Sequence, residues 1–143
     1  MKNLLKAIMT KTTTPVSALS TYVGGRVYLD EAPEGVVFPY VVFFIVSGVP
    51  DRTFTERYTD TLIQFSLFST SSGAMEITTM YANLKTLFDE CALTIPPTGL
   101  PTDTLVWMRE SNLTTMVDDI TTLDGTVSVK HWAVDYEIRT SLN

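Results

Sequence analysis

The sequence predicts an α+β fold: a mostly antiparallel sheet of about four to five strands, a main amphipathic helix at about residues 73–91, and a short N-terminal helical region packed on it. Three observations predict this class. Residues 41–46 form an apolar, β-branched run that is typical of a central strand. Residues 61–68 alternate between two faces, as a strand requires. From Ile77 to Cys91, apolar residues recur at the spacing of one helix face.

The N-terminal part is predicted to be helical before it enters the sheet. Its first apolar residues have the spacing of one face of a short helix: Leu4, Leu5, Ile8 and Met9. Residues 12–15, which end in proline, break that helix. Residues 17–22 then form a second short helical piece, and the pair Gly24-Gly25 ends it. The alternating residues 26–29 follow as a first strand.

The middle of the chain is predicted to form a long hairpin. Residues 32–35 have turn composition, and residues 38–40 fix an extended entry around a proline. We expect the run at 41–46 to be buried on both faces, covered by helices or by a partner chain. Residues 48–59 are predicted to form a polar connecting segment, after which residues 60–69 form the second strand.

The C-terminal part is predicted to be a second hairpin behind the main helix. Residues 69–73 supply candidate N-caps for that helix, and the proline-rich residues 96–101 form a loop after it. Strands are expected at 104–110 and 127–139. They are joined through an acidic, threonine-rich segment, whose end at 123–126 carries an Asp-Gly turn signal.

Composition limits the classes of function. The chain of 143 residues, with 45% hydrophobic and 18% charged residues, fits one domain spanning residues 1–143. Its net charge of −6 and ten scattered Lys and Arg residues disfavour tight DNA binding, whereas an acidic surface is compatible with repelling DNA. Lys6 interrupts the first apolar run, so we expect neither a signal peptide nor a membrane span, and a cytosolic origin.

No constellation of catalytic residues is visible. The single His131 is expected to be an exposed strand residue, and the single Cys91 a small hydrophobe on the helix stripe. Four aspartates could in principle bind a hard cation, but they match no known spacing and a solvated acidic loop is preferred: Asp103, Asp118, Asp119 and Asp124. We therefore expect no enzyme activity, no cofactor and no metal site.

Three features have both a structural and a functional interpretation. Residues 43–45 could line a ligand pocket, but a continuous apolar strand favours core. Trp107 and Met108 point to opposite faces of a strand, and either exposure of one at a subunit contact or burial of both fits the pattern. The third feature mixes cationic and aromatic side chains, as interfaces do and as an ordinary hairpin tip also can: Arg52, Phe54, Arg57 and Tyr58.

The order of these segments resembles a known family. GRVY, APEG and FPYVVF come first, then a polar hairpin, LIQFSLFS, a helix ending in LKTLFDE, and a closing hairpin. This order is similar to that of the tail completion or tail terminator (tail-to-head joining) proteins of long-tailed bacteriophages and prophages. The resemblance covers nearly the whole chain and is strongest at five positions: Arg26, Pro33, Pro39, Tyr40 and Val41.

The resemblance implies a structural virion protein of the tail or neck, assembled in the host cytoplasm. Its subunits would form a hexameric ring that caps the head-proximal end of the tail tube, ends tube polymerisation and enables head-tail joining. The implied partners are copies of itself, the tail tube protein and a neck or connector protein, while DNA passes through without specific binding. Two alternatives stay open: another neck or minor tail component (stopper or adaptor), and a small cytosolic ligand-binding domain.

The expected contact residues follow from the residue types and from the family resemblance. We expect the hairpin at 48–59, with its cationic and aromatic side chains, to reach a neighbouring subunit or the tail tube, because a heterologous ring needs two different patches on each subunit. The acidic pair Asp118 and Asp119 completes the set of candidate contacts. The resemblance provides no pattern for residues 48–59 or 112–126.

Overall fold

The protein consists of a β-sheet with helices packed on it. Along each strand, side chains alternate between the two faces of the sheet. The structure, a computed structural model, describes residues 1–14, 16–96, 103–123 and 125–142. Over these residues the elements are α1 (Lys2–Thr13), α2 (Ala18–Tyr22), β1 (Val27–Leu29), β2 (Tyr40–Arg52), β3 (Arg57–Ser69), α3 (Met75–Phe88), β4 (Asp103–Thr122) and β5 (Gly125–Leu142). The predicted α+β class is confirmed.

The strands form one five-stranded sheet over the described residues, in the order β1-β2-β3-β5-β4. β1 pairs with β2 in parallel, and every other neighbouring pair is antiparallel. Short β1 and long β4 are therefore the two edges. β2 and β3 make one hairpin, and β4 and β5 make the other, so the prediction of a mostly antiparallel sheet with two hairpins is correct.

The three helices cover one face of the sheet and enclose the core. Phe65 on β3 lies at its centre, with ring centroids 5.6 Å from Phe43 on β2, 5.0 Å from Phe88 on α3 and 5.5 Å from Tyr136 on β5. α1 adds Ile8, which is fully buried like these four rings. Offset and edge-on ring packing of this kind adds to the free energy gained by burial.

The main helix is shorter than predicted. α3 ends at Phe88, three residues before Cys91, because the chain turns away to bond with β4. Asp89 is extended, and Glu90 has a left-handed φ of 50°. The Glu90 amide donates to the Met108 carbonyl at 2.8 Å. Cys91 still contacts the core, with its Sγ 3.8 Å from the sulfur of Met108.

Two segments that the sequence indicated as irregular are strands. Of residues 48–59, only 53–56 form a loop, since β2 continues to Arg52 and β3 begins at Arg57. Residues 112–126 belong to β4 and β5 except at the turn between them. The predicted Asp-Gly turn includes Asp124, which lies outside the described residues, but Thr122 pairs with Gly125 across it. Pro15 and most of the predicted loop at 96–101 also lie outside the described residues.

The apolar run at 41–46 is buried on both faces only in its first half. Val41, Val42 and Phe43 are buried, Phe44 and Ile45 are half-buried, and Val46 is exposed. Alternate residues point to the second face of the sheet, which carries no helix over the described residues. We call this face the uncovered face. It extends across β1, β2, β3, β5 and β4 and leads into both hairpins.

Candidate assembly surfaces

The two hairpins end at opposite ends of the sheet. At one end, Arg52 pairs with Arg57 next to the β2–β3 turn, and Arg57 also pairs with Leu142 of β5. At the other end, β3 stops at Ser69, which pairs with Lys130, whereas β4 and β5 continue to their turn. We call residues 52–57 the basic tip and residues 115–128 the ribbon. Five of the six predicted contact residues divide between these two surfaces, and the sixth, Tyr58, is next to the basic tip on β3. The two groups do not meet within one chain.

The basic tip is a short, hydrogen-bonded turn that presents cations. The Thr53 amide donates to the Glu56 carbonyl at 2.9 Å, and the Glu56 amide donates to the Thr53 hydroxyl at 3.0 Å. Phe54 at the turn is fully exposed. Arg52 and Arg57 face each other across the hairpin, and neither forms an ion pair with a described residue.

A charged network lies beside this tip on the uncovered face. The Arg139 guanidinium makes a two-pronged contact with Asp60, with both N–O distances 2.7 Å, and reaches Asp51 at 3.0 Å. These hydrogen bonds hold the pKa of Asp60 below its usual range and raise that of Arg139. Arg139 also lies 5.2 Å from the Tyr58 ring centre, and the Tyr58 hydroxyl donates to the Glu56 carboxylate, which raises the pKa of Tyr58.

The ribbon is a two-stranded extension over the described residues. Beyond the Ser69–Lys130 pair, β5 has β4 on one side and no strand on the other. Several of its large apolar side chains are exposed: Met116, Val117, Ile120, Leu123 and Val127. Asp118 and Asp119 are consecutive residues of β4 with side chains on opposite faces, and Asp119 accepts a hydrogen bond from the Ser128 hydroxyl at 2.7 Å. The ribbon therefore combines negative charge with apolar surface.

The uncovered face carries a row of aromatic side chains that contact one another. Tyr40 lies at its centre, 6.4 Å from Tyr28, 5.1 Å from Phe38 and 4.7 Å from Phe68 between ring centroids. Phe68 in turn stacks on His131 at 4.4 Å. A shallow depression of about 400 Å³ lies along this row. Its breadth and open shape suit contact with another protein surface more than enclosure of a small ligand.

His131 differs from the prediction, because it is half-buried and not exposed. Its ring stacks on Phe68, and its Nε2 is buried without a hydrogen-bond partner among the described residues. Burial lowers its pKa, against the opposing charge of Asp118. Cys91 is half-buried, and burial raises the pKa of its thiol. Over the described residues, no three His, Cys, Asp or Glu side chains come together in a way that could hold a metal ion.

The neighbours Trp107 and Met108 differ in burial. Met108 is fully buried in the core, and Trp107 lies half-buried on the uncovered face. The Arg109 guanidinium covers the Trp107 ring at 4.1 Å and reaches Glu137 at 3.5 Å. Phe43 is likewise core, as predicted, while its neighbour Phe44 faces the uncovered side. Sequence reasoning missed the aromatic row, although the alternation at Tyr40, Val42 and Phe44 places these residues on one face.

These surfaces define a class of protein. A sheet backed by helices on one face, with its other face and both hairpin ends open, is suited to a structural protein that works through contacts with other proteins. In the described part of the chain, no helix is both long and apolar enough to cross a membrane.

Comparison with known proteins identifies the family. The family model "Tail completion protein gp17" matches residues 7–141, so the chain belongs to this family of phage-tail structural proteins. Among solved structures, a chain described as "Virion of native gene transfer agent (GTA) particle" has a similar fold, with a TM-score of 0.72 and 14% identity over 95% of this chain and 92% of that one. No curated protein sequence matches significantly. The resemblance stated from the sequence is confirmed.

Proposed function

We propose that this protein caps the head-proximal end of a phage tail tube as a hexameric ring, ends tube polymerisation and enables head-tail joining. The match of the tail completion family over residues 7–141 carries this proposal. The architecture supports it. A closed ring needs two different patches on each subunit, and this chain offers a basic tip and an acidic ribbon at opposite ends of its sheet.

The proposed partners follow from the same family membership. Residues 1–143 act as one domain that binds copies of itself, the tail tube protein and a neck or connector protein, with no catalytic step and no cofactor. The proposed contacts are the residues of the two hairpins: Arg52, Phe54, Arg57, Tyr58, Asp118 and Asp119. The protein assembles in the host cytoplasm and remains in the tail or neck of the virion.

The uncovered face is the proposed surface for a further protein partner. Tyr40, Phe44 and Phe68 are half-buried there, with no helix above them in the described part of the chain. Such an aromatic surface resembles the cores of protein interfaces. A partner chain on this face would bury the second side of β2, which the apolar run at 41–46 favours.

Charge supports free passage of DNA through the ring. The sequence has 16 acidic and 10 basic residues, a net charge of −6. DNA binding without sequence preference depends on clustered cations that neutralise phosphates. A predominantly acidic ring repels the phosphates and lets DNA move without specific contacts.

Removal of the protein from the phage tests this function. We expect particles that lack it to produce tails of abnormal, variable length that do not join heads, and wild-type protein supplied in trans should restore uniform length and joining. Electron microscopy of the lysate measures both properties. Tails of normal length that merely fail to join heads would contradict the terminator function and favour a neck stopper or adaptor.

A further inference from the structure

We propose that the basic tip of one copy binds the outer edge of the ribbon of the next copy. Arg52 and Arg57 would pair with Asp118 and Asp119, while Phe54 would pack on the apolar side chains of the ribbon. This inference rests on the proposed ring, and it names the two surfaces that join neighbouring subunits.

The basic tip has electrostatic strain that a partner would relieve. Arg52 and Arg57 are directly opposed across the hairpin. Like charges in this position destabilise a strand pair. No carboxylate of the described residues forms an ion pair with either of them. An incoming pair of carboxylates would turn this repulsion into two charge-assisted contacts.

The ribbon has the complementary chemistry. Asp118 and Asp119 form no ion pair with a described residue. As neighbours on a strand they point to opposite faces, so a hairpin tip that straddles the edge of β4 reaches both. Met116 and Ile120 share a face with Asp118 and are exposed. They provide an apolar site for the fully exposed ring of Phe54.

The basic tip and the ribbon lie at opposite ends of the sheet, so this contact joins neighbouring copies head-to-tail. β4 is an edge strand of 20 residues, so its outer backbone groups are open to another chain. A contact between opposite ends of identical chains is heterologous, and it propagates from copy to copy until it closes. Another cationic surface, the outer side of α1, carries Lys2 and Lys6, but it lacks an exposed aromatic side chain to match the ribbon.

Charge reversal tests the pairing. The ribbon variant carries D118K and D119K, and the tip variant carries R52E and R57E. We expect each variant alone to lose assembly, with contact affinity at least about 100-fold lower, because every contact then joins like charges. Mixed in equal amounts, the two variants should assemble again. The lysine ribbon then meets the glutamate tip, and the aspartate ribbon meets the arginine tip, in alternating order.

Assembly is measured by light scattering, with and without tail tube protein, and circular dichroism verifies the fold of each variant. The matched controls are K2E with K6E for the tip and E34K with E90K for the ribbon, all four at exposed positions, and both should assemble like the wild type. If either hairpin variant alone assembles like wild type, or if the folded mixture fails to assemble, the contact is wrong while the ring remains. A wild-type chain that stays monomeric even on tube ends would overturn the ring itself.

Cysteine cross-linking gives a second measurement on assembled tails. In a C91A background, F54C with I120C should form intermolecular disulfides, seen as a ladder of multimers on a non-reducing gel. F54C with M75C is the control, because Met75 is also highly exposed but lies on α3. A ladder of equal strength in the control, or none with I120C, would refute the proposed docking of Phe54.

Discussion

Two tyrosines on the helix-covered side differ in how their hydroxyl groups are satisfied. The Tyr81 hydroxyl on α3 donates to the Glu110 carboxylate at 2.6 Å, and the same carboxylate lies 3.4 Å from Lys85. The Tyr136 hydroxyl on β5 is buried and has no partner among the described residues. A hydrogen bond to a charged group is stabilising, whereas an unsatisfied buried hydroxyl is destabilising. The same substitution should therefore have opposite effects at the two positions.

Y81F should lower the free energy of unfolding by about 1–2 kcal/mol, because it removes a charge-assisted hydrogen bond. The hydrogen bond to Glu110, together with burial, raises the pKa of Tyr81 from 10.0 to about 12. A raised folded-state pKa gives stability that is full below pH 10 and is lost as the pH rises towards 12. The wild type should thus lose stability across this window more steeply than Y81F.

Urea unfolding at neutral pH and across the alkaline range measures both effects. Y22F is the control, because Tyr22 is exposed and its change should stay within about 0.5 kcal/mol. A Y81F protein as stable as wild type at neutral pH would show that Glu110 gains nothing from the hydroxyl.

Y136F should raise the free energy of unfolding by up to about 1 kcal/mol, because it removes a buried hydroxyl that makes no hydrogen bond and keeps the ring. The ring packs edge-on against Phe65 at 5.5 Å, and this contact is preserved. The same urea titration measures the change. A loss of stability similar to that of Y81F would mean that the hydroxyl is satisfied in the folded protein.

The sequence predicted some side chains better than others. Phe43 and Met108 lie on the core face of strands whose alternation is visible in the sequence, which allows such positions to be assigned. His131 was expected to be an exposed strand residue; it lies on the uncovered face but is half-buried. Its half-buried state depends on stacking with Phe68, a residue 63 positions away in sequence (131 minus 68), so the register of β3 against β5 was needed.

Among the helices and strands, the core elements were predictable and their ends were not. The apolar stripe of α3 was correctly identified, but its N-cap is Ala74, which makes no side-chain capping bond. The candidate cap Ser69 instead donates its hydroxyl to the Glu76 carboxylate at 2.6 Å. At the other end, pairing with β4 overrides local helix propensity.

The largest differences are the strand ends that were read as loops. Pro50 and the acidic residues 118–119 are unusual in strands, and a local reading therefore favours a loop. Each nevertheless lies in a paired hairpin whose register is set by its apolar half: Phe43 opposite Phe65, and Leu113 opposite Val134. Signals for the ribbon were present in the β-branched threonines 114–115 and 121–122 and in the Asp-Gly pair.

The ribbon should be less stable than the sheet in the free subunit. A two-stranded hairpin without a third strand is marginal in water, whereas the amides of β3 are bonded from both sides. We expect the amide hydrogens of residues 116–121 to exchange at least about 100-fold faster than those of residues 63–67, and to slow on assembly. Hydrogen exchange with mass spectrometry measures this. Equal protection of the two segments in the monomer would contradict the marginal stability of the ribbon.

Different parts of the chain stabilise the fold and offer contact surfaces to other proteins. The helix-covered half of the sheet has aliphatic and aromatic packing that holds the fold, from Ile8 to Phe65 and Tyr136. The uncovered face and the hairpin ends hold the aromatic and charged side chains that other proteins can contact. Membership of a phage-tail structural family over residues 7–141 fits this division, because a structural protein needs both a stable core and surfaces for contact.

If residues 1–143 fold as one domain, unfolding should be cooperative. Trp107 reports on the edge strand β4 and Trp132 on β5, where it packs edge-on against Tyr81 of α3 at 6.0 Å, while far-ultraviolet circular dichroism reports mainly on the helices. All three signals should give the same urea midpoint, since one sheet connects these elements. W107F isolates the signal of Trp132, and W132F that of Trp107. Circular dichroism gives the change in overall stability of each variant. If the fluorescence midpoints of W107F and W132F differ by more than this change, the edge of the sheet unfolds separately from its centre.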